Sequence, residues 1–193
     1  MAIAITPPQE KTKRMTYAEY RAMPDDGKRY ELVEGVLREI EDMPAPTLAH
    51  QLASRGVFRK LDSFVTERKL GQVLYAPVDV YLADDLAYQP DILFVATESR
   101  AKMTKDDVTG PPDLVVEIVS RSSRSIDRRE KLANYAKYGV REYWLVYPDS
   151  AIIEVFVLRE GKFQMLGRYG EGETVRSEVL AGLEFLTETV FEA

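Results

Sequence analysis

The stretch Asp113-Leu114-Val115-Val116-Glu117-Ile118-Val119-Ser120 is apolar at consecutive positions and is entered through the breaker Gly110-Pro111-Pro112. Strict alternation would mark a strand with one wet face. An unbroken apolar run of this length marks a strand covered on both faces, the central strand of a sheet. Glu117 sits in its middle. A lone ionised carboxylate there is strongly disfavoured unless a salt bridge, a raised pKa or a bound cation compensates it. An arginine partner at the sheet's end is the purely structural explanation. A metal-binding or catalytic role is the functional one, and perturbed carboxylates cluster at functional sites.

Downstream of this strand, Asp127 and Glu130 are placed to cap a helix whose apolar side is Leu132, Tyr135 and Ala136, with Gly139 at the expected C′ position. Tyr143–Tyr147, Ile152–Leu158 and Lys162–Arg168 then read as a strand meander, turning at Pro148-Asp149-Ser150 and Glu160-Gly161. Upstream, Val73–Tyr75, Val78–Leu82 and Asp91–Val95 have strand character. Before them, Thr47 opens a helix with apolar positions at Leu48, Leu52, Val57, Leu61, Phe64 and Val65, ended by Gly71 and open to a break at Gly56. Arg29–Glu41 reads as two strands joined near Glu34-Gly35, and Thr16 with Glu19 forms a capping box. The expectation is a tail over residues 1–14 and a single α/β domain over 15–193. Its mixed, largely antiparallel central sheet is flanked by helices and closes with a C-terminal strand meander.

A chain of 193 residues suits one domain with a sizeable core. It has no cysteine, which excludes disulfides, thiolate nucleophiles and cysteine-based zinc sites and suits a reducing cytoplasm. The opening MAIAITPPQEKTKR is broken by Pro7-Pro8 and has too short an apolar run for an export signal. No segment approaches the ~18 apolar residues of a membrane span. The net charge of −6 argues against a polyanionic partner, but its distribution does not. From Arg121 to Lys137 six basic residues face two acidic ones, and Arg121, Arg124 and Arg128 lead this basic window. It is either a solvated helix face or a phosphate-binding surface.

Asp91 follows Pro90 and opens an apolar strand. With Glu117 on a neighbouring strand, the two carboxylates can converge on one site whose hard oxygens suit Mg²⁺ or Mn²⁺. Such an ion lowers the pKa of bound water and acts as a Lewis acid. Lys131, one turn into the helix after the Glu117 strand, can return over the strand end to orient water or stabilise charge on a phosphorane. A helix-surface lysine is the bland alternative.

Taken together, Tyr30-Glu31-Leu32 with Glu34-Gly35, Gln89-Pro90-Asp91-Ile92-Leu93-Phe94-Val95, Pro112 to Ser120, and Lys131 with Tyr135, Gly139-Val140 and Glu142-Tyr143-Trp144 resemble the Uma-two family. These are restriction-endonuclease-like proteins of the PD-(D/E)XK superfamily. The likeness runs from about Tyr17 to the C-terminus. It implies a restriction-endonuclease-like core, Mg²⁺-dependent cleavage of DNA, and homodimerisation for cutting two strands. Asp91 takes the place of the PD aspartate and Glu117 that of the (D/E) residue. Val119 occupies the position of the motif's lysine, and relatives resemble this chain in offering one from the next helix, here Lys131. Glu31 stands where an N-terminal acidic ligand is found in many superfamily members, with Glu34 competing for the role. His50, in a His-Gln pair, is either a hydrogen-bonded structural residue or a phosphate contact. Two other functions fit the same residues: a catalytically inactive DNA-binding protein, and a metal-independent glycosidase using Asp91 and Glu117.

Overall fold

The computed structural model describes residues 14–40, 47–120 and 123–191. The expected tail, apart from Arg14, and the candidate contact Arg121 lie outside these. Thr16 caps α1 (Tyr17–Arg21) through the reciprocal bonds its sequence predicts. β1 (Tyr30–Val33) and β2 (Val36–Glu39) form a hairpin whose turn residues, Glu34 and Gly35, both take positive φ. Thr47 caps α2 (Leu48–Arg68). The chain continues through β3 (Gly71–Tyr75), β4 (Asp79–Ala83), β5 (Leu86–Tyr88) and β6 (Ile92–Ala96). Two short strands hidden by polarity, β7 (Lys102–Met103) and β8 (Asp107–Thr109), lead to β9 (Leu114–Ile118). A π-helical segment (Ile126–Lys131) runs into α3 (Leu132–Tyr138). The meander β10 (Glu142–Tyr147), β11 (Ile152–Arg159) and β12 (Lys162–Tyr169) follows. A hairpin of β13 (Thr174–Arg176) and β14 (Glu184–Leu186) and the short α4 (Glu188–Phe191) end the described chain.

The strands form a main sheet in the order β12-β11-β10-β9-β6-β3 and a second in the order β2-β1-β5-β4-β8-β7. β9 is central and buried at every residue, as its two-sided apolar character requires. The main sheet is antiparallel except between β9 and β10. That parallel pair needs a crossover, and the π-helical segment with α3 supplies it. Side chains alternate across a strand. Leu114, Val116 and Ile118 therefore pack under α2, against Ala53, Val57 and Leu61. Val115 and Val119 face the other way, toward Tyr135, Tyr143 and the second sheet's Val80 and Tyr88. Glu117 shares the parity of Val115 and Val119, so it points at the crossover helix.

Three expectations change. Gly56 does not interrupt α2; a Cβ there would meet the Val190 carbonyl oxygen at 2.2 Å, so the missing side chain lets α4 lie against the helix. Gly71 does not end α2; Lys69, in the left-handed region, does so, and Gly71 starts β3 with its Cα against the Val95 carbonyl. Asp127 is not a cap: Ser125 precedes the π-helical segment without a capping bond, and Asp127 is buried. Burying Asp127 beside a lysine offers more than a surface cap would, because the lysine's charge needs partners there.

Glu142 shows what a buried carboxylate looks like when it serves the fold. It accepts from Trp144 Nε1 at 2.7 Å, Ser177 Oγ at 2.7 Å and the Glu178 and Val179 N–H groups at 2.8 and 2.9 Å. Four donors meet the acceptor capacity of an ionised carboxylate and tie the C-terminal segment to the sheet. Among the described residues no helix is long and apolar enough to cross a membrane.

Candidate active site

β6 and β9 run antiparallel with Ile92 opposite Val116. One step further along the register puts Asp91 level with Glu117, on the same face. Opposite residues on one face of such a pair have Cβ atoms about 5 Å apart. The Ile118 N–H donates to Asp91 Oδ2 at 2.7 Å, which fixes the aspartate across the strand end. The sheet alone thus brings the two strand-borne carboxylates together.

The parallel crossover brings Lys131 down onto Glu117. Its Nζ lies 3.0 Å from Glu117 Oε1, 3.0 Å from Glu31 Oε1 and 3.9 Å from Asp127 Oδ1. Tyr135, one turn further along, donates its hydroxyl to the same Glu117 Oε1 at 3.1 Å. Tyr88 walls the ammonium from the second sheet, its ring centre 5.3 Å away. The Tyr88 hydroxyl takes a bond from Asn134 Nδ2 and gives one to Glu130 Oε1, which Arg38 also holds. The second sheet therefore supplies both Glu31 and an aromatic wall, and Gln89, just past β5, donates its N–H to Glu31 Oε1 at 3.3 Å.

Burial is graded across this cluster. Glu117, Asp127 and Lys131 are 4%, 2% and 6% exposed, while the Asp91 and His50 side chains keep 24% and 18%. The site opens on the Asp91–His50 side. Burial pushes the Glu117 carboxyl well above its usual range; the Lys131 ammonium resists that rise, and Asp127, Asp91 and Glu31 add to it. Asp127 is raised for the same leading reason. Burial works to lower Lys131, but Glu117, Glu31 and Asp127 outweigh it and hold the lysine well above its usual range. Three carboxylates surround one ammonium and Asp91 adds a fourth acid beside Glu117, so the surplus negative charge calls for a cation or protons.

His50, in the first turn of α2, places Nε2 3.7 Å from Asp91 Oδ1, and its Nδ1 is buried without a hydrogen-bond partner among the described residues. Glu34 is exposed in its turn, which leaves Glu31 as the acid of β1 at the site. The arginines contact the neighbouring strands. Arg128 pairs with Glu154 at 3.4 Å, level with Glu117 across β10, and Arg124 lies 5.5 Å over the Tyr147 ring, at the end of β10 nearest the site. Asp127 and Tyr135 were not legible as site residues. The i,i+4 spacing of Asp127 and Lys131 was the one available signal, and it reads equally well as a surface pair.

Asp91 and Glu117 offer hard oxygens of the kind that hold Mg²⁺ or Mn²⁺, which take one or two carboxylates and complete their shells with water and phosphate. Among the described residues no three His, Asp or Glu side chains converge as a ready-made ligand set. The pair and the surplus negative charge fit an ion that keeps most of its shell from solvent and substrate.

A comparison with curated proteins finds no match. Among solved structures, the chain is similar to the crystal structure of a putative nuclease belonging to DUF820 from Anabaena variabilis, at 17% identity and a TM-score of 0.74, covering 92% of this chain and 97% of that one. At that identity the likeness shows the fold, and it is the restriction-endonuclease-like arrangement expected from the sequence. The model of the Uma2 family, described as putative restriction endonuclease, matches residues 17–188, and the chain belongs to that family.

Proposed function

We propose that this protein hydrolyses phosphodiester bonds of DNA, with Asp91 and Glu117 holding Mg²⁺ or Mn²⁺, assisted by Glu31, and Lys131 acting on the attacking water. Bound there, the ion would polarise the phosphate and lower the pKa of a coordinated water. The Ile118 N–H fixes Asp91. Glu117 commits Oε1 to Lys131 and Tyr135, which leaves Oε2 free of those two donors. Lys131 stays an ammonium at neutral pH because its carboxylate partners hold its pKa high. It therefore serves as a hydrogen-bond donor and positive charge toward water and the phosphorane, and not as the base. His50, on the open side beside Asp91, would contact a phosphate oxygen. Arg124 is exposed on the basic segment as a backbone contact. Arg128 reaches a phosphate only by leaving Glu154, and Arg121 is assigned the same role from sequence.

The observation that carries this reading is the convergence of three carboxylates on one buried lysine at the end of the central strand, with Asp91 level with Glu117 beside them. Cleavage of single- and double-stranded DNA with Mg²⁺ or Mn²⁺, comparing wild type with Glu117→Ala and Asp91→Ala, tests it. Metal-dependent cleavage lost in both variants is the expected result; cleavage that persists in both sinks the site. DNA binding without cleavage would instead favour the inactive DNA-binding alternative, and turnover in EDTA the glycosidase.

A further inference from the structure

We propose that Asp127 is a positioning residue for Lys131, a third carboxylate that keeps the ammonium in place when Glu117 serves the metal. This rests on the nuclease reading. Asp127 is 2% exposed, more deeply buried than Glu117. Its Oδ1 lies 3.9 Å from Lys131 Nζ, beyond hydrogen-bond reach, so it acts through charge. Its own place is over-determined. Its N–H donates to the Ser123 carbonyl at 2.9 Å, and its carbonyl accepts the buried Tyr143 hydroxyl at 3.2 Å. Asp127 and Lys131 both belong to the π-helical segment, a widened turn of a type frequent at functional sites.

The three carboxylates around Lys131 differ in what else they must do. Glu117 and Glu31 come from β9 and β1, and both are candidates to face a dication. An ion drawn to Glu117 repels the ammonium that shares that carboxylate. Asp127 travels with Lys131 on the same turn and is the one partner the ion does not need. It offsets that repulsion and holds the long, flexible side chain over the strand end.

The test combines Asp127→Asn, Lys131→Met and the double variant. In EDTA, Asp127→Asn is expected to lower Tm in the wild-type background, and to leave it unchanged or raise it in the Lys131→Met background, where the aspartate has lost its counter-charge. In Mn²⁺, Asp127→Asn is expected to lower kcat on DNA about 10- to 100-fold, with KM and calorimetric Mn²⁺ affinity unchanged within about twofold. An equal Tm loss in both backgrounds overturns the proposal, because Asp127 would then be structural and independent of the lysine. An unchanged kcat overturns it too, as does Mn²⁺ affinity falling in step with kcat, which would make Asp127 a ligand. If Asp127→Asn alone does not fold, the double variant against Lys131→Met still gives the sign of the coupling. If the wild type cleaves no DNA, the nuclease reading fails, while the Tm comparison still decides whether Asp127 serves Lys131.

Discussion

Replacing Lys131 by methionine removes the ammonium and leaves a side chain of similar length among three acids. At 3.0 Å, its contacts to Glu117 and Glu31 are each worth about 5 kcal/mol at an effective dielectric of about 20. The measured loss will be smaller, because Glu117 can take up a proton instead. The cost of that proton sets a ceiling. Starting from an ordinary glutamate value of 4.5, a neutral carboxyl costs about 1.4 kcal/mol per pH unit, so the ceiling is about 3.5 kcal/mol at about pH 7 and about 1.4 kcal/mol at about pH 5.5. The sign follows from linkage. Without the lysine the folded-state pKa of Glu117 rises further above its unfolded value, so the folded state binds more protons and stability falls as pH rises through that window. Urea denaturation in EDTA at the two pH values, with matched m-values, is the assay. The expected outcome is a loss of about 2 to 3.5 kcal/mol at the higher pH, at least halved at the lower one. A loss that is the same at both, or below about 1 kcal/mol at the higher pH, would refute the claim that the ammonium compensates Glu117.

Mn²⁺ should raise Tm more at about pH 8 than at about pH 6, since the raised carboxyl of Glu117 releases its proton on binding; calorimetric melting over a Mn²⁺ series checks it, and a pH-independent shift would count against Glu117 as a ligand. Tyr135→Phe deletes one of the two donors on Glu117 Oε1; it should cost about 1 kcal/mol of stability and about tenfold in kcat, both measurable on the purified variant. Gly56→Ala puts a methyl 2.2 Å from the Val190 carbonyl oxygen; because backbone must move, chemical denaturation should show a loss of about 1–3 kcal/mol with DNA cleavage per folded molecule unchanged.

The elements set by local patterns were legible in the sequence: the capping box at Thr16, the Thr47 cap, the Glu34-Gly35 turn, the Gly139 terminus and the β10–β12 meander. Each is decided by neighbours within a few residues. Glu117 was legible for another reason, since an acid inside a two-sided apolar strand is anomalous whatever surrounds it. The charge of the basic window was legible, but its use was not, because Arg128 finds Glu154 only after β11 returns beside β10. Asp127 gave the opposite error. Its position suggested a surface cap, and only the crossover from β9 to β10 turns it inward onto Lys131.

The sequence by itself determined the central strand, the acid within it and the aspartate on its neighbour, because hydrophobic period and the cost of a buried charge are local facts. Only the tertiary structure decided which acids share the lysine. That depends on the antiparallel register that levels Asp91 with Glu117, the parallel crossover that returns Lys131 to the strand end, and a second sheet that delivers Glu31 from far away in the chain. Each is fixed by long-range packing, to which no short window of residues has access.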